Sequence, residues 1–140
     1  MRSLGLDIGD RWIGVAISDP GGILASPFTI IDRSNDAAAV AAIIDIVRQQ
    51  QVKQIIVGLP ISMDGSIGKQ AEKVKTFTQI LSEQTEVPVE FRDERLTTVS
   101  AQCLMRVAGT KNKKGRKKAR DDAIAAAIIL HGYLDEAYRE

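Results

Sequence analysis

Apolar and polar positions fall into short β-type bursts at the start of the chain and then switch to a helical period. "SLGLDIG" (3–9) and "WIGVAIS" (12–18) are separated only by Asp10 and Arg11, which predicts a hairpin. A third run, "ILASPFTII" (23–31), follows the turn signal Pro20-Gly21-Gly22. Val40, Ile43, Ile44 and Val47 then recur at i, i+3, i+4 and i+7 behind Ser34 or Asn35 as cap, the pattern of a helix. "QIIVGLP" (54–60) is a strand closed by Gly58 and Pro60, and Ala71, Val74, Phe77 and Leu81 mark one face of a second helix. "VPVEF" (87–91) reads as a further strand. "TTVSAQCLMRVAG", opened by Thr97 or Thr98 and stopped by Gly109, predicts a third helix, and "DDAIAAAIILHGYLDEAY" a fourth. Three sequential strands followed by alternating helices and strands predict an α/β fold, a mixed sheet with helices on its faces.

The length of 140 residues, 44% of them hydrophobic, fits a single domain over 1–140 with a core of its own. No repeat or interdomain linker interrupts it. No run approaches the roughly 18 apolar residues of a membrane span, and "MRSLGLDIGD" reaches a charge too early for a signal peptide. The expectation is a cytoplasmic protein with no membrane partner. The single cysteine, Cys103, sits in an apolar helical pattern and reads as a packed small hydrophobe.

Net charge is only +1, but its distribution is uneven. "KNKKGRKKAR" (111–120) holds seven of the nineteen Lys and Arg and no acid, leaving twelve bases against eighteen acids elsewhere. Composition predicts a mobile basic loop at about 109–120, bounded by Gly109 and containing Gly115. Read plainly, it is a solvated surface run; read functionally, it is an electrostatic tether for a polyanion such as nucleic acid.

Asp7 is the first chemical anomaly. A carboxylate on a core strand is costly unless it is paired, metal-bound or turned to water at an edge. Pairing with Arg11 is the bland solution. Two further acidic pairs stand at element ends: Asp93 and Glu94 past a strand, Asp121 and Asp122 before an apolar helix. Turn ion pairs with Arg92 or Arg95 account for the first, and the helix dipole for the second, at about 0.3–1 kcal/mol each. Together, acids from a strand, a later strand end and a late helix suit hard divalent cations such as Mg²⁺ or Mn²⁺. The cation is needed for convergence: two carboxylates about 4 Å apart repel by roughly 4 kcal/mol at an effective dielectric of 20. One Cys and one His give no zinc spacing, and His131 reads as a helix-surface or core-edge residue.

The blocks "LGLDIGDRWIGVAISDP", "IVGLPISMDGSIGKQAEKVKTF", "DERLTT" and "DDAIAAAIIL" resemble, in order, the signatures of the YqgF family, described both as pre-16S rRNA nucleases and as Holliday junction resolvases. The resemblance covers residue 3 to about 135. It implies an RNase H-like fold with a five-stranded mixed sheet, three antiparallel N-terminal strands followed by alternating helices and strands, and flanking helices. It also implies an acidic metal site, whose residues fall on Asp7, Glu94 and Asp122, holding Mg²⁺ or Mn²⁺. Asp122 shares a helix face with Ala125, Ala126 and Ile129, while Asp121 lies about 100° away; family spacing before the paired alanines selects Asp122. Asp93 stays open beside Glu94.

Other residues carry two readings. Gly9 and Gly14 serve turn and packing, or at Gly9 close approach of a phosphate. Ser62, Gly65 and Lys69 lie in a loop that connects strand to helix and in open α/β sheets often borders the active crevice. Arg95 neutralises its acidic neighbours or holds a phosphate, alongside Lys113, Lys114, Arg116, Lys117 and Lys118. The chain departs from the family pattern after the first "D-x-G", where many members carry two or three basic residues and this one has Asp10, Arg11 and Trp12. Arg11 remains a phosphate contact; Trp12 is either a core-edge anchor or a platform for an unpaired base.

The resemblance implies a metal-dependent phosphodiesterase that processes the 5′ end of pre-16S rRNA, with junction cleavage as the alternative. The partner is nucleic acid, structured or single-stranded RNA before a DNA junction, and the chain acts as a monomer or homodimer. A non-catalytic RNA-binding assembly factor of the same fold is the competing class. An actin-like ATPase shares the acid-and-glycine hairpin but needs a second domain.

Overall fold

The computed structural model describes residues 1–60, 68–93 and 114–139, the last segment with side chains over 123–137. Five strands form one sheet: β1 (Ser3–Ile8), β2 (Trp12–Ser18), β3 (Ala25–Asp32), β4 (Gln54–Leu59) and β5 (Val89–Asp93), in the order β3-β2-β1-β4-β5. β1, β2 and β3 are antiparallel neighbours; β4 lies parallel to β1, and β5 parallel to β4. The Asp10-Arg11 turn makes antiparallel pairing of β1 and β2 the direct solution. The long connections before β4 and β5 permit parallel strands through helical crossovers.

Among the described residues three helices cover the sheet: α1 (Asp36–Gln49), α2 (Lys69–Gln84) and α3 (Lys114–Arg139). Asn35 caps α1, its side chain accepting from the Ala38 N–H at 3.1 Å. Leu4, Leu6, Ile13, Val15, Ile55 and Val57 fill one sheet face against Val40 and Ile43 of α1 and Val74, Phe77 and Leu81 of α2. Ala16 and Ile56 on the other face meet Ala126, Ile129, Leu130 and Leu134 of α3. Gly5 permits that second contact: a Cβ there would stand 2.8 Å from Leu130 Cβ and 2.9 Å from the Ala126 carbonyl oxygen.

Two expectations change. The last strand begins at Val89 instead of residue 87, because Pro88 lacks an N–H and offers only its carbonyl, which accepts from Ile55 N at 2.9 Å. The basic run is not a loop throughout: Lys114–Arg120 are the opening turns of α3. Lys, Arg and Ala are strong helix formers, and extending a helix already anchored by its apolar half costs far less than nucleating one. The helix expected over 97–109 lies outside the described residues, as does the rest of the basic run.

Candidate functional site

Alternation along each strand sorts the sheet into two faces. Leu4, Leu6 and Ile8 point toward α1 and α2, so Ser3, Gly5 and Asp7 point toward α3. Asp7 pairs in register with Gly14 of β2, and one step beyond the Leu6–Val57 pair its other neighbour is Gly58 of β4. The positions directly across from Asp7 on the two adjoining strands are thus both glycine. Asp7 is partly buried, where its strand neighbours Leu6 and Ile8 are buried. Asp7 is the acid carried inside β1, the central strand of the sheet.

The surrounding edge is assembled from several elements. β1, β4 and β5 are parallel, so their C-terminal ends gather beside Asp7, the position where open α/β sheets bind ligands. The β1–β2 turn crosses that edge and is tied down on both sides. Arg33 Nη1 donates to the Gly9 carbonyl at 3.0 Å, and Arg33 N to the Arg11 carbonyl at 2.7 Å. Lys73 of α2 pairs with Asp10 at 3.5 Å. A groove of about 390 Å³ beside the turn is lined by Arg33, Lys69, Glu72, Lys73 and Thr76. Lys69 therefore sits in a largely cationic groove at the first residue of α2.

Gly9 is explained by packing. Its N–H donates to the Trp12 carbonyl at 2.9 Å and a Cβ would lie 2.8 Å from that oxygen. Its amide is committed to the turn, leaving close approach as its only route to a substrate. Arg11 is exposed and its guanidinium lies over the Trp12 ring, 5.1 Å from the centroid. Asp93 stands in register with Leu59, on the α1/α2 side, while Arg92, in register with Gly58, stands on the face of Asp7. Ser62, Glu94, Arg95 and Lys113 lie outside the described residues. Asp122, Lys114, Arg116, Lys117 and Lys118 are placed by backbone alone, on α3.

Two contributors were not legible from sequence. Arg92 is buried and donates to Glu136 of α3 at 2.7 Å, tying the site end of β5 to that helix. Gly132 makes the space: a Cβ there would lie 2.8 Å from an Arg92 terminal nitrogen. Arg33 is the other: its one signal in the sequence is its place just past a strand that neighbours the hairpin. Glu136 is held below its ordinary pKa by the Arg92 hydrogen bond, with the guanidinium's charge as a lesser cause. Asp19 is also lowered, by N–H donors of Leu24 and Ile23 that close the β2–β3 turn far from Asp7.

Among the described residues no three His, Cys, Asp or Glu side chains gather into a metal site, and two of the three expected ligands are not among the described side chains. Asp7 by itself fits a hard divalent cation: an oxygen donor, partly buried, with glycine on both sides.

A mixed sheet in the order 3-2-1-4-5 with a strand-one acid under the last helix defines the RNase H-like class of fold. Solved structures share it. Thermus thermophilus RuvC, in complex with a Holliday junction substrate, matches with a TM-score of 0.65 at 13% identity, over 98% of this chain and 96% of that one. The fowlpox virus Holliday junction resolvase matches with a TM-score of 0.58 at 17% identity, over 97% and 99%. The chain belongs to the RuvX family, described as Holliday junction resolvase, whose model matches residues 1–136. Relatives named "Putative pre-16S rRNA nuclease" include one from Dehalococcoides mccartyi, 49% identical over 92% of this chain and 94% of its own length. Another, from Clostridium tetani, is 47% identical over the full length of both. No helix among the described residues is long and apolar enough to cross a membrane.

Proposed function

We propose that this chain is a metal-dependent nuclease that hydrolyses phosphodiester bonds at the 5′ end of the 16S ribosomal RNA precursor, in the cytoplasm. The observation that carries the reading is Asp7, set between two glycines on the sheet face beneath α3 in a family of nucleic-acid-cleaving proteins. The names of relatives at 42–49% identity favour ribosomal RNA.

The course of α3 supports Asp122 as a second ligand. Tyr133 Oη donates to Gln54, the register partner of Ser3, whereas Ala126 and Leu130 pack over Gly5. The helix thus runs antiparallel to β1, and one turn back from Ala126, about 6 Å at 1.5 Å per residue, reaches position 122. Two strand residues from Gly5 to Asp7 span about 7 Å. This backbone course favours Asp122 as the partner of Asp7. For Glu94, strand alternation is the support: Arg92 shares the face of Asp7 and Asp93 does not, so a strand carried one residue further turns Glu94 to that face.

Asp7, Glu94 and Asp122 would hold one or two Mg²⁺ or Mn²⁺. When bound, such ions lower the pKa of a water and stabilise the leaving oxygen of an in-line displacement. The protein's own part is to fix the three carboxylates and exclude bulk from the strand edge. Lys69, Arg95 and the basic residues Lys113, Lys114, Arg116, Lys117 and Lys118 grip backbone phosphates, with Ser62 and Arg11 as further contacts. If about four phosphates are engaged on a single strand, log K falls with log salt at a slope near −3.

The test offers purified protein, with Mg²⁺ or Mn²⁺, a 5′-extended 16S precursor and a synthetic four-way junction side by side. Cleavage of the precursor, abolished in Asp7→Asn, is the expected result. Preferential cleavage of the junction, the activity in the family's description, replaces RNA with DNA as substrate. Binding without cleavage of either leaves an assembly factor.

A further inference from the structure

We propose that Trp12, with Arg11 over its ring, forms a subsite for one unpaired nucleobase beside Asp7. This inference rests on the nucleic-acid-cleaving reading and names how that site holds its substrate.

Placement is the first support. In β2, Ile13, Val15 and Ile17 pack toward α1 and α2, so Trp12 shares with Gly14 the face that carries Asp7. Gly14 is the direct register partner of Asp7, which makes Trp12 its diagonal neighbour across the pair. Diagonal neighbours sit about 7–8 Å apart, within reach of an aromatic side chain. With glycine at position 14, no side chain on β2 stands between the indole and the carboxylate.

Rigidity is the second. The turn that sets Trp12 is closed by the Gly9 N–H to the Trp12 carbonyl at 2.9 Å, and Arg33 bonds to the carbonyls of Gly9 and Arg11. The indole is therefore positioned by backbone that does not have to order on binding, which spares affinity the cost of ordering a loop.

The third is the state of the ring. Trp12 is only partly buried and belongs to neither of the two main apolar clusters formed by the described residues, so it is not serving as their anchor. Its π-face is instead taken by the exposed Arg11 guanidinium at 5.1 Å. A cation on an indole marks a face able to accept a flat, electron-poor partner, and a base stacks there by the same attraction. A base that takes this place against the ring frees the guanidinium for the adjoining phosphate. The recognition is of a π-face, so it prefers unpaired over paired nucleotides and discriminates weakly among the four bases.

Trp12 is the chain's single tryptophan, which makes the subsite directly visible. A labelled single-stranded oligoribonucleotide is titrated into the Asp7→Asn protein, with anisotropy reporting binding and indole emission reporting stacking. Binding should quench the emission. An oligonucleotide of abasic residues should bind without quenching, and a duplex of the same sequence should quench at most weakly. Trp12→Phe should keep the affinity within about threefold, while Trp12→Leu, which retains apolar volume, should lose about 5- to 150-fold. Binding with unchanged emission, equal quenching by the abasic strand, or Trp12→Leu binding like the parent overturns the subsite and leaves the nuclease reading intact. No binding by the Asp7→Asn protein together with no cleavage of any nucleic acid by the parent overturns both.

Discussion

The two faces of the sheet are built from the same strands and do opposite things. Toward α1 and α2, every strand contributes large aliphatic side chains, and Phe77, Leu6, Ile13 and Val57 are fully shielded from water. Toward α3, the same strands present Trp12 and Ile56 and otherwise mostly small or polar residues: Ser3, Gly5, Asp7, Gly14, Ala16, Gly58 and Arg92. Burial of large side chains is worth about 1.5–3 kcal/mol each, so the first face holds most of the stability. The second face gives up that gain: small residues let α3 approach at one end and leave Asp7 accessible at the other. A sheet that had optimised both faces equally would have nowhere to put a charged substrate.

That division separates stability from activity, and substitutions on each face should separate them too. Asp7→Asn is expected to lower cleavage by more than about 100-fold, beyond what loss of a ligand's outer partners usually costs. Its unfolding midpoint in denaturant should stay equal or rise, since active-site charge is held at the expense of stability. Ile43→Ala, on α1, should do the reverse: about 2–5 kcal/mol lost from stability, with activity per folded molecule nearly unchanged. If Asp7→Asn destabilises as much as Ile43→Ala, the carboxylate is a structural member and the division fails.

Gly5→Ala tests the point where the faces meet. A methyl group at 2.8 Å from Leu130 Cβ and 2.9 Å from the Ala126 carbonyl pushes on helix backbone, which cannot step aside as a side-chain tip would. Overpacking of this kind costs about 1–3 kcal/mol. Because α3 carries Asp122, activity should fall by more than the folded fraction does, read as kcat on a fully folded sample. Equal losses would mean that the position of α3 does not govern the site.

Much of this was legible in the sequence, for reasons that differ by element. The hairpin, α1, α2 and β4 show because each buries one face and its apolar period reports which. Asp7 shows because a carboxylate breaks that period. Composition predicts loop for the opening turns of α3, because glycine and the scarcity of apolar residues there do not register the apolar helix that they extend. The side of the sheet on which Asp93 stands needed register: alternation says that adjacent residues differ, and only the pairing of Arg92 with Gly58 and of Asp93 with Leu59 says which way. The burial of Arg92 was beyond reach, because it depends on Gly132 and Glu136, residues brought near only by the fold.

The Arg92–Glu136 pair supplies the smallest expected effect, and it reports on the same seam between β5 and α3. The Glu136 carboxylate has its pKa depressed by the guanidinium hydrogen bond. A carboxyl whose folded value is depressed adds stability that is complete above its unfolded pKa, about 4.3, and is lost as pH falls through the lower folded value. Glu136 is largely exposed, 58% for its side chain, so solvent screening holds the increment to at most about 1 kcal/mol. In Glu136→Gln this part of the acid dependence should disappear: parent and variant converge in stability well below pH 4 and separate above pH 5, the parent being more stable. Chemical denaturation at a series of pH values reads the difference directly. A gap that persists unchanged into acid would show that the charge of Glu136 is not what joins α3 to β5, and the seam would then rest on hydrogen-bond geometry and packing around Arg92.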